Sequence, residues 1–356
     1  MSILSQALIA LHFAKLDLRL RTFSRVIVAL SGGKDSALAL CYAASMFGVE
    51  RLVAHHQIIP EDHAGTIEHC QLLCAFFGIP LYMSQMSYYA MLCRTCGNRH
   101  ITADPKACWC HKCKDRAHQV IDHPITTIHG LIEWRERYPD MLSRFCTSWG
   151  KRDVFNTWCR QHEDIIGDAP ILVSGERWAE STNRARLPVL GFRDSLREKS
   201  EFMLEYRPII HLSRRKVFCQ LRDAGIPLHP CYEALWHEML RIEHEDWRAG
   251  DPEKHHPHIS YTGQWTGLRE LEVLPDDLLA DMIYKLMYEV DEEHHGPRCS
   301  CADCVFFPSL LHRASSRLRS NQEIYRDALR IAETIPHKMT AKKGLPDLLK
   351  APSGTR

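Results

Sequence analysis

The sequence predicts an α/β protein built on a doubly wound parallel sheet, carrying a cysteine-rich metal insert and a helical insert. Three observations lead there. Short β-branched runs alternate with segments of helical periodicity from Arg25 to Met86. A glycine pair, Gly32-Gly33, sits where the first strand turns into the first helix. Two C-x2-C knuckles then interrupt the regular alternation.

Composition narrows the classes. The 356 residues are 45% hydrophobic and 25% charged, enough to bury a sizeable core. Lys+Arg 45 against Asp+Glu 44 gives no global basic field, so nucleic-acid binding needs a local patch. The apolar stretch Ala7 to Phe13 is cut short by Lys15, Asp17 and Arg19 and has no basic region before it. It reads as an amphipathic N-terminal helix over residues 1–24, neither signal peptide nor membrane span, and the expected location is cytoplasmic. Fifteen cysteines in such a chain are expected as reduced thiols or metal ligands rather than disulfides.

Taking the chain in order, Arg25 to Leu30 is a buried strand and Asp35 to Met46 a helix. Between them, Ser31-Gly32-Gly33-Lys34-Asp35-Ser36 offers unpaired amides, a helix N-terminus and two hydroxyls, a combination that suits a phosphate. Arg51 to Ile59 is a second strand, Asp62 to Phe77 a helix closed by Gly78 and Pro80, and Leu81 to Met86 a third strand. Ligands of such a sheet lie beyond the carboxyl ends of the strands.

Cys93, Cys96, Cys110 and Cys113 form the two knuckles, thirteen residues apart, within an insert at 90–116. Each knuckle supplies two thiolates from a tight turn, the requirement of a tetrahedral Zn²⁺; an iron–sulfur cluster is the alternative. Ile128 to Tyr138 reads as a helix, and the segment Phe145 to Asp153, which holds Lys151 and Arg152, leads into another helix through Cys159. Ala169 to Ser174 is a further strand, followed by Gly175-Glu176-Arg177-Trp178-Ala179-Glu180-Ser181-Thr182-Asn183-Arg184. Arg177 and Arg184 can each present a planar fork to phosphate oxygens. Tyr206 to Ile210 is a short strand, and a helix from Ser213 to Ala224 is capped by Ser213. A helical, histidine-rich insert is expected over 236–297, then a cysteine segment with closing helices over 298–335 and a tail over 336–356. The closing helix Phe306 to Arg319 is basic through His312, Arg313, Arg317 and Arg319.

SGGKDS after a strand resembles the PP-loop of the ATP pyrophosphatase, or adenine nucleotide alpha hydrolase, superfamily. The Cys146-Thr147 segment with its basic pair and the G-x-R-x-x-E-S-x-x-R segment extend the resemblance to the PAPS reductase family. It implies a Rossmann-like PP-loop domain over 25–235. It also implies that ATP, or the sulfonucleotides PAPS or APS, binds through Ser31, Gly32, Gly33, Lys34, Asp35, Ser36, Gly175, Arg177 and Arg184. Lys34, Asp35, Lys151 and Arg177, with Mg²⁺, are the implied reaction residues. Cys146, Cys231, Cys301 and Cys304, with Cys299 as a substitute, would hold a [4Fe–4S] cluster or, alternatively, a second zinc. The chain departs from its sulfonucleotide-reducing relatives in two ways: Phe145 stands before Cys146, and the tail after Cys304 has no cysteine to act as a nucleophile.

Three functions follow as expectations. The first is an ATP-splitting enzyme that releases pyrophosphate to adenylylate an acceptor, nucleic acid among the candidates, for sulfur chemistry with a sulfur donor protein. The second is a sulfonucleotide reductase with its nucleophile relocated to Cys159 or Cys219. The third is a nucleotide-binding accessory protein within a nucleoprotein complex of a mobile element or CRISPR-type system.

Overall fold

Residues 25–29 alternate in the face they present, and that alternation builds the molecule. In strand β1 (Arg25–Ala29), Val26 and Val28 face one layer of helices while Ile27 faces the other. A strand buried on both faces belongs in the middle of a parallel sheet. The computed structural model describes residues 23–104, 106, 109–116, 118–121, 124–140, 143–192, 203–249, 259, 270–290 and 309–335. β1 pairs in parallel with β2 (Leu52–Ile58) on one side and with β7 (Pro170–Val173) on the other. Beyond them lie β3 (Leu81–Gln85), β9 (Leu204–Tyr206) and the antiparallel edge strand β8 (Leu190–Phe192), giving the order β3-β2-β1-β7-β9-β8. Chain direction across the sheet reverses between β1 and β7, so a crevice opens at their carboxyl ends.

On the Val26 face pack α1 (Lys34–Phe47), α2 (Thr66–Phe77) and α7 (Arg214–Asp223). On the Ile27 face pack α5 (Asp153–Gln161), through Phe155, Trp158 and Cys159, and α6 (Glu163–Ile166), through Ile166. Both faces are therefore covered, as the expected α/β class requires. The helix expected from Asp62 starts only at Thr66, because Gly65 adopts φ +82° and Glu61 and His63 are drawn into the interior. Ser213 stands at the start of α7, but its hydroxyl makes no cap bond.

The cysteine insert folds as a separate antiparallel sheet of β4 (Tyr89–Cys93), β5 (Arg99–Thr102) and β6 (His118–Val120). Its base rests on α3 (Ile128–Arg135) and α11 (Gln322–Thr334) through Ala90, Leu131, Tyr325 and Ile331. A further apolar core joins α7, α8 (Cys231–Ala249), α9 (Asp276–Tyr288) and α10 (Ser309–Arg317) around Trp236. The boundary expected after residue 235 thus falls inside α8, whose apolar face runs without a break from Cys231 to Trp247. Among the described residues no helix is long and apolar enough to cross a membrane. The expected N-terminal helix, the tail and Cys299, Cys301 and Cys304 lie outside the described residues.

Candidate functional site

The loop Ser31–Ser36 joins β1 to α1 at the crevice. Gly32 adopts φ +77°, a conformation L side chains rarely take, and a Cβ there would lie 3.2 Å from Thr66 Cγ2. Ser36 locks the turn: its hydroxyl donates to the Gly33 carbonyl at 2.9 Å and accepts from the Ser31 amide at 3.1 Å. Three helix-opening amides follow, each without an intrahelical partner. That of Lys34 donates to the Tyr232 hydroxyl at 3.1 Å. Tyr232 stands 198 positions away in sequence, so nothing local announces it.

Lys34 and Asp35 turn inward. The Lys34 ammonium is 5% exposed, 2.6 Å from Asp35 Oδ2, and sits near the rings of Phe218 and Tyr232. Asp35 Oδ1 accepts from Arg177 Nε at 2.7 Å, and Arg177 also donates to the Leu212 carbonyl. Burial pushes the Lys34 pKa down, against the pull of Asp35. Burial alone would raise the Asp35 pKa, but Lys34 and Arg177 outweigh it and hold the carboxylate below its usual range. Three of the four expected reaction residues therefore form one buried ion triad beneath the loop. Gly175 permits it: a Cβ there would lie 2.5 Å from Asp35 C and 2.7 Å from the Ser36 amide nitrogen.

Beside Ser31 lies a cleft of about 540 Å³, within the range of nucleotide and cofactor pockets; of the expected binding residues Ser31 alone lines it, while Gly32, Gly33, Lys34 and Ser36 are buried. Ser31, Lys151, Arg152, His56, Glu176 and Arg207 are among the residues lining it. Lys151 and Arg152 end a π-helical turn, Ser148–Arg152, inserted between the short helix α4 (Phe145–Thr147) and α5. Gln57 donates to the Gly150 carbonyl and Tyr88 to that of Trp149, fixing the turn. π turns often mark functional positions, and only coordinates reveal this one. Arg207 is buried between Glu176 and Glu205, each at 2.6 Å. His56 donates through Nδ1 to the Leu30 carbonyl, and burial lowers its pKa. His56, Glu176 and Arg207 are additions that the sequence motifs did not single out. Arg184 does not line the cleft; it pairs with Glu180 at 2.5 Å and lies 3.6 Å from Glu176.

The four knuckle cysteines converge. Their sulfurs lie within 4.8 Å of one another, with Cys93–Cys113 at 3.4 Å and Cys96–Cys110 at 3.5 Å. Four thiolates around a tetrahedral Zn²⁺ at ~2.3 Å stand ~3.8 Å apart, so the donor set fits that ion. Backbone N–H groups of Cys113 and Lys112 point at Cys110 and lower its thiol pKa to about 6. Among the described residues this is the only group of three or more metal-ligand side chains so gathered.

The second cysteine set is only half described. Cys231 is buried at the start of α8, and burial raises the pKa of Cys146 beside the π turn. Neither relocated-nucleophile candidate lines the cleft: Cys159 is packed with Phe155 and Trp158 in the core, and Cys219 donates to the Tyr288 carbonyl. The basic helix is also spent internally. Arg313 makes two bonds to Asp246, Arg317 two to Glu245, and His312 is fully buried against Tyr325. Arg313 and Arg317 thus meet the acidic face of α8, so this helix presents less positive charge than its sequence suggests.

No family model matches the sequence, and no curated protein matches it. The fold is similar to FMN adenylyltransferase from Candida glabrata, solved with FMN and an ATP analogue, at TM-score 0.37 and 13% identity. That match covers 66% of this chain and 62% of that one. The fold is also similar to PAPS reductase from Candida auris in a phosphate complex, at TM-score 0.35 and 13% identity over 60% of this chain and 80% of that one. A third likeness is to the U34-tRNA thiolase of Methanococcus maripaludis with its [4Fe-4S] cluster, at TM-score 0.36 and 15% identity over 62% and 66% of the two chains. The chain thus spans about three fifths of the length of the FMN adenylyltransferase it matches.

Proposed function

We propose that the chain binds ATP at Ser31–Ser36 and splits it at the α-phosphorus. An acceptor oxygen attacks that phosphorus, the bond to the bridging oxygen of the β-phosphate breaks, and pyrophosphate leaves while the acceptor keeps the adenylyl group. The observation that carries this reading is the loop itself: helix-opening amides at the switch point of the sheet, joined through Ser31 to a cleft of nucleotide size. The division of labour differs from the one the motif implies. Lys34, Asp35 and Arg177 brace the loop as a buried triad, and Gly175 lets β7 lie against it. Lys151 and Arg152 bring charge into the cleft, where they would oppose the growing charge on pyrophosphate. His56 and Glu176, with His55, Asp62 and Glu205, line the same cleft and are candidates to receive a proton from the acceptor.

The acceptor, the sulfur donor and a [4Fe–4S] cluster on Cys146, Cys231, Cys301 and Cys304 belong to the same proposal, with Zn²⁺ at Cys93, Cys96, Cys110 and Cys113. The relocated-nucleophile reductase is less favoured, because no cysteine lines the cleft among the described residues. The test is equilibrium ATP binding together with pyrophosphate release. Lys151→Ala is expected to weaken ATP binding roughly tenfold or more, the value of a lost charged hydrogen bond. Unchanged affinity in that variant would contradict the assignment of the cleft. ATP binding without pyrophosphate release for any acceptor class would favour the accessory-protein reading.

A further inference from the structure

The four-cysteine module carries a local excess of positive charge. Between Cys93 and His118 the chain holds six cations, Arg94, Arg99, Lys106, Lys112, Lys114 and Arg116, and only two carboxylates, Asp104 and Asp115, in a protein whose net charge is +1. All six cations are exposed. Arg99 makes a long surface contact with Glu136 at 3.9 Å, a pair of little energetic weight. Both carboxylates have local tasks: Asp104 accepts from the Lys106 amide, and Asp115 accepts from the Arg116 amide and the Thr95 hydroxyl. This contrasts with α10, whose arginines are neutralised by Asp246 and Glu245.

An aromatic ring lies within this charge. Trp109 precedes Cys110 and is 49% exposed, with the Lys114 ammonium 4.8 Å from its ring centroid. Because Cys93 meets Cys113 and Cys96 meets Cys110, the two knuckles that carry Arg94 and Lys112 lie side by side. Lys114 closes the second knuckle by donating its amide to the Cys110 carbonyl, with φ +62°.

We propose that the four-cysteine module is a docking face for single-stranded nucleic acid, with a base stacked on Trp109 and the phosphate backbone following the surrounding cations. Exposed cations neutralise phosphates and release counterions. An exposed tryptophan stacks any base whose face is open, which a single strand offers and a duplex does not. The module lies apart from the residues lining the cleft, so strand binding does not depend on nucleotide splitting, and each can fail without the other.

The experiment uses the full chain with its metal content measured, and fluorescein-labelled single strands of RNA and of DNA about 20 nucleotides long. Binding is followed by anisotropy at 50 and 200 mM salt, with a duplex of the same sequence as comparison. Wild-type protein is expected to bind single strands more tightly than duplex and to lose affinity as salt rises; the RNA and DNA arms identify which strand is preferred. Trp109→Ala is expected to weaken binding roughly 5- to 150-fold. The double charge reversal Lys112→Glu with Lys114→Glu is expected to reduce the salt slope by about 1.4. Both variants change exposed side chains, and equal metal content with an equal circular dichroism spectrum verifies that they fold. Should Trp109→Ala alter the metal content, the charge-reversal variant decides. No binding by wild type at 50 mM salt, or binding unaltered in the folded variants, overturns the proposal.

Discussion

Asp35 lies between two cations, Lys34 at 2.6 Å and Arg177 at 2.7 Å, with a fifth of its side chain exposed. Removing its charge leaves an ammonium and a guanidinium buried together, so Asp35→Asn is expected to cost about 3–5 kcal/mol of stability. Urea unfolding at pH 7 measures it, and a loss below 1 kcal/mol would contradict the triad. The pH dependence has a definite sign. Asp35 has a folded pKa below its unfolded one, so its contribution is fully present above about pH 4 and is lost as pH falls through the lowered value. Asp35→Asn removes that component of the acid sensitivity. The residue-scale lesson is that SGGKDS made the loop legible but not the direction of its side chains. Ser31 and Ser36 brace the turn as their types suggest, whereas Lys34 points away from the cleft because Phe218 and Tyr232, far along the chain, supply its surroundings.

At the scale of elements, period and punctuation located most strands and helices, since a buried strand and an amphipathic helix leave different apolar spacings. What local pattern cannot encode is partnership. His312, Arg313 and Arg317 read as a basic helix in isolation, yet Asp246 and Glu245 on α8 cancel the arginines and Tyr325 covers the histidine. The π turn at Ser148–Arg152 was equally hidden, because tertiary bonds from Gln57 and Tyr88 hold it. The cysteine spacing, by contrast, was sufficient: two knuckles thirteen residues apart bring four sulfurs within 4.8 Å. The β4–β5–β6 sheet has few buried apolar side chains of its own, so a metal held by the four cysteines would contribute directly to its folding. Chelation of zinc is expected to expose residues 93–121 to protease while the six-stranded sheet keeps its circular dichroism. A module equally protected after verified metal removal would contradict this.

For the whole molecule, the order β3-β2-β1-β7-β9 places the two motif-bearing loops, after β1 and after β7, at the same crevice. The class of fold was legible because alternating strand and helix patterns admit few topologies. The joint core of α7, α8, α9 and α10 was not, since its members are spread from Phe218 to Ala314 and no local signal links them. The consequence is that Tyr232, on a helix of that second core, reaches the loop of the first and occupies the Lys34 amide. The proposed nucleotide site thus draws on both parts of the chain.

In the proposed reading, a nucleotide's phosphate tail docks on the loop amides beside the cleft. Amide ¹⁵N–¹H spectra recorded through an ATP titration test it most directly. Saturable shifts are expected at Gly32, Gly33, Asp35 and Ser36, with Lys151 and Arg152 following at the same ligand concentration. Saturable shifts confined to residues outside the loop and cleft, or an unaltered spectrum at millimolar ATP, would contradict it.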